Sequence, residues 1–125
     1  MKNEKFSLRK RVKSFGYAIN GLRVMFSEEH NSRIHLLAAM VALVLGWFLK
    51  ISPYEWSLLA IGIGAVFASE LFNSALENLA DHLSPEKHEN IKKVKDLSAA
   101  AVLVFAIVSV VVAGLIFLPK IWAML

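Results

Sequence analysis

Long apolar runs alternate along this chain with short, densely charged stretches, and the apolar runs are too long for a water-soluble core. Ile34 to Leu49 carries no ionisable residue beyond His35 at its edge, Trp56 to Ser69 is uncharged, and Leu97 to Leu118 has no ionisable side chain at all. Crossing a bilayer core about 30 Å thick takes roughly 20 residues of helix, so the third run spans by itself and the first two borrow flanking turns. The pattern predicts three transmembrane helices, over about 32–50, 54–82 and 96–118. Ahead of them, Leu8, Val12, Phe15, Ile19, Leu22 and Phe26 alternate steps of four and three, which is helical spacing. Arg9, Lys10, Arg11 and Lys13 crowd the other face, so residues 6–26 read as an amphipathic helix in the membrane interface, cations toward anionic headgroups. A surface helix packed on the bundle is the plainer alternative. The predicted fold class is an all-α integral membrane protein, three transmembrane helices plus an N-terminal amphipathic interfacial helix, in one domain over residues 1–125.

Charge adds topology to this picture. The net charge of +4 comes from 14 Lys and Arg against 10 Asp and Glu, and the basic residues are unevenly placed. Lys2, Lys5, Arg9, Lys10, Arg11, Lys13, Arg23 and Arg33 precede the first span, and Lys87, Lys92, Lys93 and Lys95 lie between the second and third. Only Lys50 and Lys120 remain for the opposite side. The positive-inside rule then puts the N-terminus and the 82–96 loop in the cytoplasm, the C-terminus outside, and the protein as a multi-pass component of the plasma (inner) membrane. This layout argues against nucleic acid as a partner. The first apolar run begins too late, and with no small-residue cleavage pattern after it, to be a removable signal peptide. Cysteine is absent, which excludes disulfides, thiolate metal sites and a Cys nucleophile.

Candidate chemistry gathers where the second apolar run ends. Glu70, Asn73, Glu77 and Asp81 are spaced by three, four and four, so on a helix they share one narrow stripe, while Leu71, Phe72, Ala75, Leu76 and Leu79 take the other side. Carboxylates beside hydrocarbon need a counter-charge or a cation, and intramembrane ionisable residues are functional by default. The Ser27 to Arg33 stretch enters the first span on the same membrane face, so Glu29 can converge on that stripe. Asp96 is a plausible N-cap of the third span. Lys95 beside it reads either as part of a solvated basic loop or as an ammonium presented to a phosphate.

No Walker loop, kinase catalytic-loop signature, dinucleotide fingerprint or HExxH occurs. What remains is Glu29, Glu70, Asn73, Glu77, Asp81, Lys95 and Asp96 around three short spans. Oxygen ligands of this kind suit Mg²⁺, which typically takes one or two carboxylates plus substrate phosphates. A further carboxylate at the apolar boundary can act as general base. Those are the parts phosphoryl transfer requires.

Glu70-x-x-Asn73-Ser74-Ala75-Leu76-Glu77-x-x-x-Asp81, then His88 and Lys95-Asp96 with Ser98-Ala99-Ala100-Ala101-Val102-Leu103, closely resembles the small prokaryotic diacylglycerol kinase and undecaprenol kinase family. The resemblance covers nearly the whole chain, including Gly16-Tyr17 and Gly21-Leu22 of the N-terminal helix. It implies a membrane lipid kinase that uses ATP and Mg²⁺ and assembles as a homotrimer with shared active sites. By the same resemblance Glu70 matches the catalytic base, and Glu29 and Glu77 match metal-binding carboxylates. Tyr17, Glu86, Lys87, His88, Lys95 and Asp96 match the nucleotide-binding region, with Glu29 and Glu77 reaching it through the metal. Asn73, Asp81 and Ala99 match supporting positions of the active-site helices, and Lys10 stands where an Arg contacts nucleotide or lipid in the diacylglycerol kinase branch. Glu29-x-Asn31-x-Arg33-Ile34-His35, Pro53-x-Glu55-Trp56 and Gly114-Leu115-Ile116-Phe117-Leu118-Pro119-Lys120 look more like the undecaprenol kinase branch, which favours undecaprenol over diacylglycerol as the lipid alcohol. Two readings from other classes compete: a small proton-coupled multidrug-type transporter, and a structural membrane subunit in which the stripe only holds helices together.

Overall fold

The structure is a computed structural model that describes residues 5–83 and 88–125. Four helices follow one another: α1 (Leu8–Glu28), α2 (His30–Phe48), α3 (Pro53–Leu83) and α4 (Glu89–Met124). The last three are each long and apolar enough to cross a membrane. α1 begins at Ser7, whose side chain accepts from Lys10 N, and leaves Leu8, Val12, Phe15 and Ile19 exposed along its apolar face. This suits a helix lying in lipid better than one packed on the bundle.

Only Glu29 separates α1 from α2. It is extended at φ −107° and ψ 114°, and its N–H still closes on Met25 O. Arg33 makes this abrupt junction stable by donating to Phe26 O and Ser27 O, both at 2.8 Å, which satisfies carbonyls that the end of α1 would leave open. Met25, only 1% exposed, and an edge-to-face contact of Phe26 with Phe67 fasten the same turn to the bundle. The fold thereby places Glu29 beside α3.

The opposite end of the bundle is closed by a hairpin of two caps. α2 ends with Lys50 in the left-handed region at φ 54°, and Ile51 N–H reaches back to Gly46 O at 3.2 Å. This is a Schellman closure with a lysine in the position glycine usually takes. Ile51 then packs directly over Gly46, where a Cβ would stand 3.0 Å from its Cδ1 and 2.9 Å from the Trp56 ring. Ser52 and Glu55 cap α3 reciprocally, Ser52 N donating to Glu55 Oε1 at 3.0 Å and Glu55 N to Ser52 Oγ at 3.1 Å, with Pro53 at the first helical position. Ile51, Leu59, Ile116 and Phe117 form the buried core there.

The structure extends α4 beyond the expected span at both ends. The sequence reading places a basic loop up to residue 96 and Asp96 at the helix start, whereas the helix begins at Glu89, capped by His88 Nδ1 accepting from Asn90 N at 3.2 Å. Nothing in Glu89 to Lys95 breaks a helix, and Lys92 pairs with Asp96 one turn later at 2.6 Å, an i,i+4 contact that supports the extension. At the other end α4 continues through Pro119 to Met124. Its 36 residues make about 54 Å of helix against a hydrocarbon layer of about 30 Å, so the charged first turns project beyond the membrane.

Candidate active site

The expected stripe exists on α3, and it is graded. Glu70 is 1% exposed and Asn73 8%, Glu77 is half-buried, and Asp81 lies open. The row thus climbs from the interior of the bundle to its surface within three turns of helix.

Glu70, at the buried end, is held by α2. Ser32 Oγ donates to Glu70 Oε2 at 3.4 Å, and His35 Nδ1 lies 3.0 Å from Glu70 Oε1. The His35 contact is within ion-pair distance but off the line of a directed hydrogen bond, and neither atom has a directed partner among the described residues. Ser32 and His35 are three residues apart on α2, so one helix face supplies both contacts. Neither residue stood out in the sequence as a site residue. The signal available was their helical spacing beside an apolar run, but which carboxylate they meet is decided by packing.

Higher on the row, Asn73 Nδ2 donates to Glu77 Oε1 at 3.5 Å. Glu77 also feels the charge of Glu29, which brings the carboxylate at the α1–α2 junction into the electrostatic neighbourhood of the stripe. Glu29 makes no side-chain cap to α2, so its carboxylate is not committed to the helix end. Asp81 pairs with Lys95 Nζ at 2.5 Å, tying the top of the stripe to α4. Asn73 Oδ1 and Ser74 Oγ are buried without a directed partner among the described residues. Buried polar atoms are normally satisfied, so these two leave hydrogen-bonding capacity open along α3.

Other expected positions lie apart from this cluster. Lys10 and Tyr17 are exposed on α1, Tyr17 before the turn of Met25 and Phe26 that packs against the bundle. Asp96 is engaged with Lys92 on the exposed side of α4, His88 caps its own helix, and Ala99 is exposed. Glu86 and Lys87 lie outside the described residues.

The residues present fit a divalent cation of the Mg²⁺ type. Among the described residues no three His, Cys, Asp or Glu side chains form a closed cage. Glu29 and Glu77 instead offer two mutually repelling carboxylates, a donor set that suits a cation completing its shell with phosphate and water.

Comparison with known proteins gives this geometry its context. The family described as prokaryotic diacylglycerol kinase matches residues 16–117. An undecaprenol kinase of Bacillus subtilis (strain 168) is 36% identical over 119 residues, covering 95% of this chain and 97% of that protein. A diacylglycerol kinase of Escherichia coli (strain K12) is 33% identical over 100 residues, 80% of this chain and 82% of its own. One of Haemophilus influenzae is 32% identical over 107 residues, 85% and 91%. With the matched region running from α1 through the acidic row and most of α4, the chain belongs to the prokaryotic diacylglycerol kinase family and is a membrane lipid kinase that draws on a nucleotide phosphoryl donor.

Proposed function

We propose that the protein transfers the γ-phosphoryl group of ATP, with Mg²⁺, to the hydroxyl of a membrane lipid alcohol at the cytoplasmic face of the plasma membrane, with undecaprenol favoured over diacylglycerol. The observation that carries this reading is the graded row itself. A deeply buried Glu70 leads through Asn73 and Glu77 to an exposed Asp81–Lys95 pair. Such an arrangement brings a membrane-embedded base and a water-facing cationic group onto neighbouring helices, which is what joins a lipid hydroxyl to a soluble nucleotide. The likeness to the Bacillus undecaprenol kinase over 95% of the chain supports the choice of acceptor.

In this mechanism Glu70 accepts the proton as the O–H bond of the lipid breaks and its oxygen forms the new bond to phosphorus. The bond from the γ-phosphorus to the bridging oxygen of ADP breaks in line. Glu29 and Glu77 would hold Mg²⁺, which when bound neutralises phosphate charge and orients the nucleotide. Lys95, already positioned by Asp81, supplies positive charge at the phosphates, and Asn73 keeps Glu77 in place. Lys10, Tyr17, Glu86, Lys87, His88 and Asp96 complete the nucleotide side, and Ala99 leaves room beside it. Lys10, Tyr17 and Ala99 are exposed in one chain, which accords with a homotrimer in which α1 and α4 of one copy serve the row of another. The cytoplasmic assignment of the N-terminus and of the 82–96 segment rests on the asymmetry of Lys and Arg.

The test is phosphorylation by the purified protein from labelled ATP, with undecaprenol and diacylglycerol offered side by side and divalent cations removed in a parallel arm. Faster labelling of undecaprenol, lost on chelation, is the expected result. Preferential labelling of diacylglycerol reverses the substrate assignment, and labelling of neither overturns the reading.

A further inference from the structure

The proposed reaction assigns no role to the contact between His35 and Glu70. Glu70 is 1% exposed, its two oxygens approached by Ser32 Oγ and His35 Nδ1, and the His35 side chain is 23% exposed. His35 is also the one ionisable residue lining a cavity of about 190 Å³ between α2, α3 and α4, otherwise walled by residues such as Ala38, Ala42, Ile63 and Val66. At 3.0 Å the two atoms lie within hydrogen-bonding reach, and a small rotation of either side chain lets an N–H on Nδ1 donate to Oε1. A donor at Nδ1 then holds the carboxylate by one oxygen and leaves the other open. The contact is off-line in the free chain, as hydrogen bonds of catalytic groups often are before the reactants are in place.

Resting on the proposed role of Glu70, we propose that His35 is the positioning residue of that carboxylate: its Nδ1–H fixes Glu70 Oε1, leaving Oε2, beside the weaker Ser32 contact, to face the lipid hydroxyl. His35 touches neither nucleotide nor lipid in this role. It acts through Glu70 alone, so it sets the rate of the chemical step and not the affinity for either substrate. On α3 the group facing it is Glu70, and on α4 the polar residue lining its cavity is Ser109, whose hydroxyl is already donated to Gly62 O. Glu70 is therefore the only carboxylate near enough for His35 to serve among the described residues.

Three variants test this in the full-length protein, each with a melting curve in detergent. His35→Ala is expected to lower kcat about 10- to 100-fold, the span of a lost hydrogen bond to a charged group, with KM for ATP and for the lipid unchanged. His35→Asn, whose amide nitrogen takes the place of Nδ1, is expected to recover kcat to within a few-fold of the native enzyme. Native kcat in His35→Ala, or an equal loss in His35→Asn when both melt as the native protein does, overturns the proposal. Should His35→Ala fail to fold, the Asn variant decides alone: near-native kcat supports the donor role and a full loss overturns it. Glu70→Gln, run alongside, separates the two readings. Turnover retained there removes the base assignment itself, whereas a dead Glu70→Gln with a fully active His35→Ala removes only the role of His35.

Discussion

The two ends of α3 are built from similar residues and left in opposite states. At the Glu55 end the polar groups of the cap are used. Ser52 and Glu55 cap each other, and Glu55 Oε2 meets Lys120 Nζ at 3.1 Å. Apolar side chains close over the turn. At the Glu70 end, carboxylates crowd together, Asn73 Oδ1 and Ser74 Oγ lack directed partners among the described residues, and Glu29 leaves its helix uncapped. A glutamate therefore carries no functional meaning by being a glutamate near a membrane. Its neighbours decide: where they consume its hydrogen-bonding capacity it is structure, and where they leave capacity open it is available for a ligand.

The largest expected effect follows from substituting the buried member of the open end. Glu70→Gln keeps the volume and the contact with Ser32 but removes the proposed base, so kcat should fall by about 10² to 10⁴. The melting temperature should hold, and isothermal titration with ATP should show binding close to native. A turnover near that of the native enzyme would put the chemistry elsewhere. The closed end answers in the opposite sense. At Gly46 a larger side chain must displace the Trp56 ring and Ile51, so Gly46→Leu should cost about 1–3 kcal/mol of stability, read by thermal or denaturant unfolding in detergent. The kcat of the protein that remains folded should be unaltered. If Gly46→Leu slows turnover without melting earlier, the two ends are not separate.

Much of this contrast was legible in the sequence, and the part that was not has a common cause. The spacing of Glu70, Asn73, Glu77 and Asp81 fixes their common face from helical geometry alone, and the apolar runs fix the spans from bilayer thickness. Lys92, Lys93 and Lys95 are helical and not a loop, because charge density does not by itself exclude a helix. The i,i+4 relation of Lys92 to Asp96 was present in the sequence and points to helix. Ser52-Pro53-Tyr54-Glu55 likewise spells a capping box that could have been found. Ser32 and His35 are different, since no local pattern says which residue on another helix they will meet. Pairings between helices, such as His35 with Glu70 or Lys95 with Asp81, arise only when the chain is packed.

Lys95 sharpens the comparison at intermediate size. Its ammonium bridges α4 to Asp81 at the exposed end of the row, where water screens the pair and leaves it little stability to contribute, so the proposed function assigns it to binding. Lys95→Met should raise KM for ATP about tenfold, the loss of one charge-assisted bond to phosphate, with little change in melting temperature. An equal loss of stability and affinity would make the pair a helix tie and move it to the structural side of the ledger.

The smallest expected effect comes from the middle of the bundle, where the two ends are mechanically joined. Ser109 Oγ on α4 donates to Gly62 O on α3 at 3.0 Å, in a span where such interhelical bonds average about 0.6 kcal/mol. Ser109→Ala should cost about that much and leave kcat alone, because Gly62 O retains its place in the helix. Gly62→Ala is the stronger probe: its Cβ would stand 3.1 Å from Ser109 Oγ, so α4 has to yield by a few tenths of an ångström. Combining the two substitutions removes the obstructing oxygen, and the double variant should be no less stable than Ser109→Ala, a non-additivity that two contacting residues require. If α3 and α4 transmit strain from this contact to the acidic row, Gly62→Ala will lower kcat and Ser109→Ala will restore it in the double variant. An unchanged kcat in all three means that the open end keeps its geometry independently of how tightly the middle is packed.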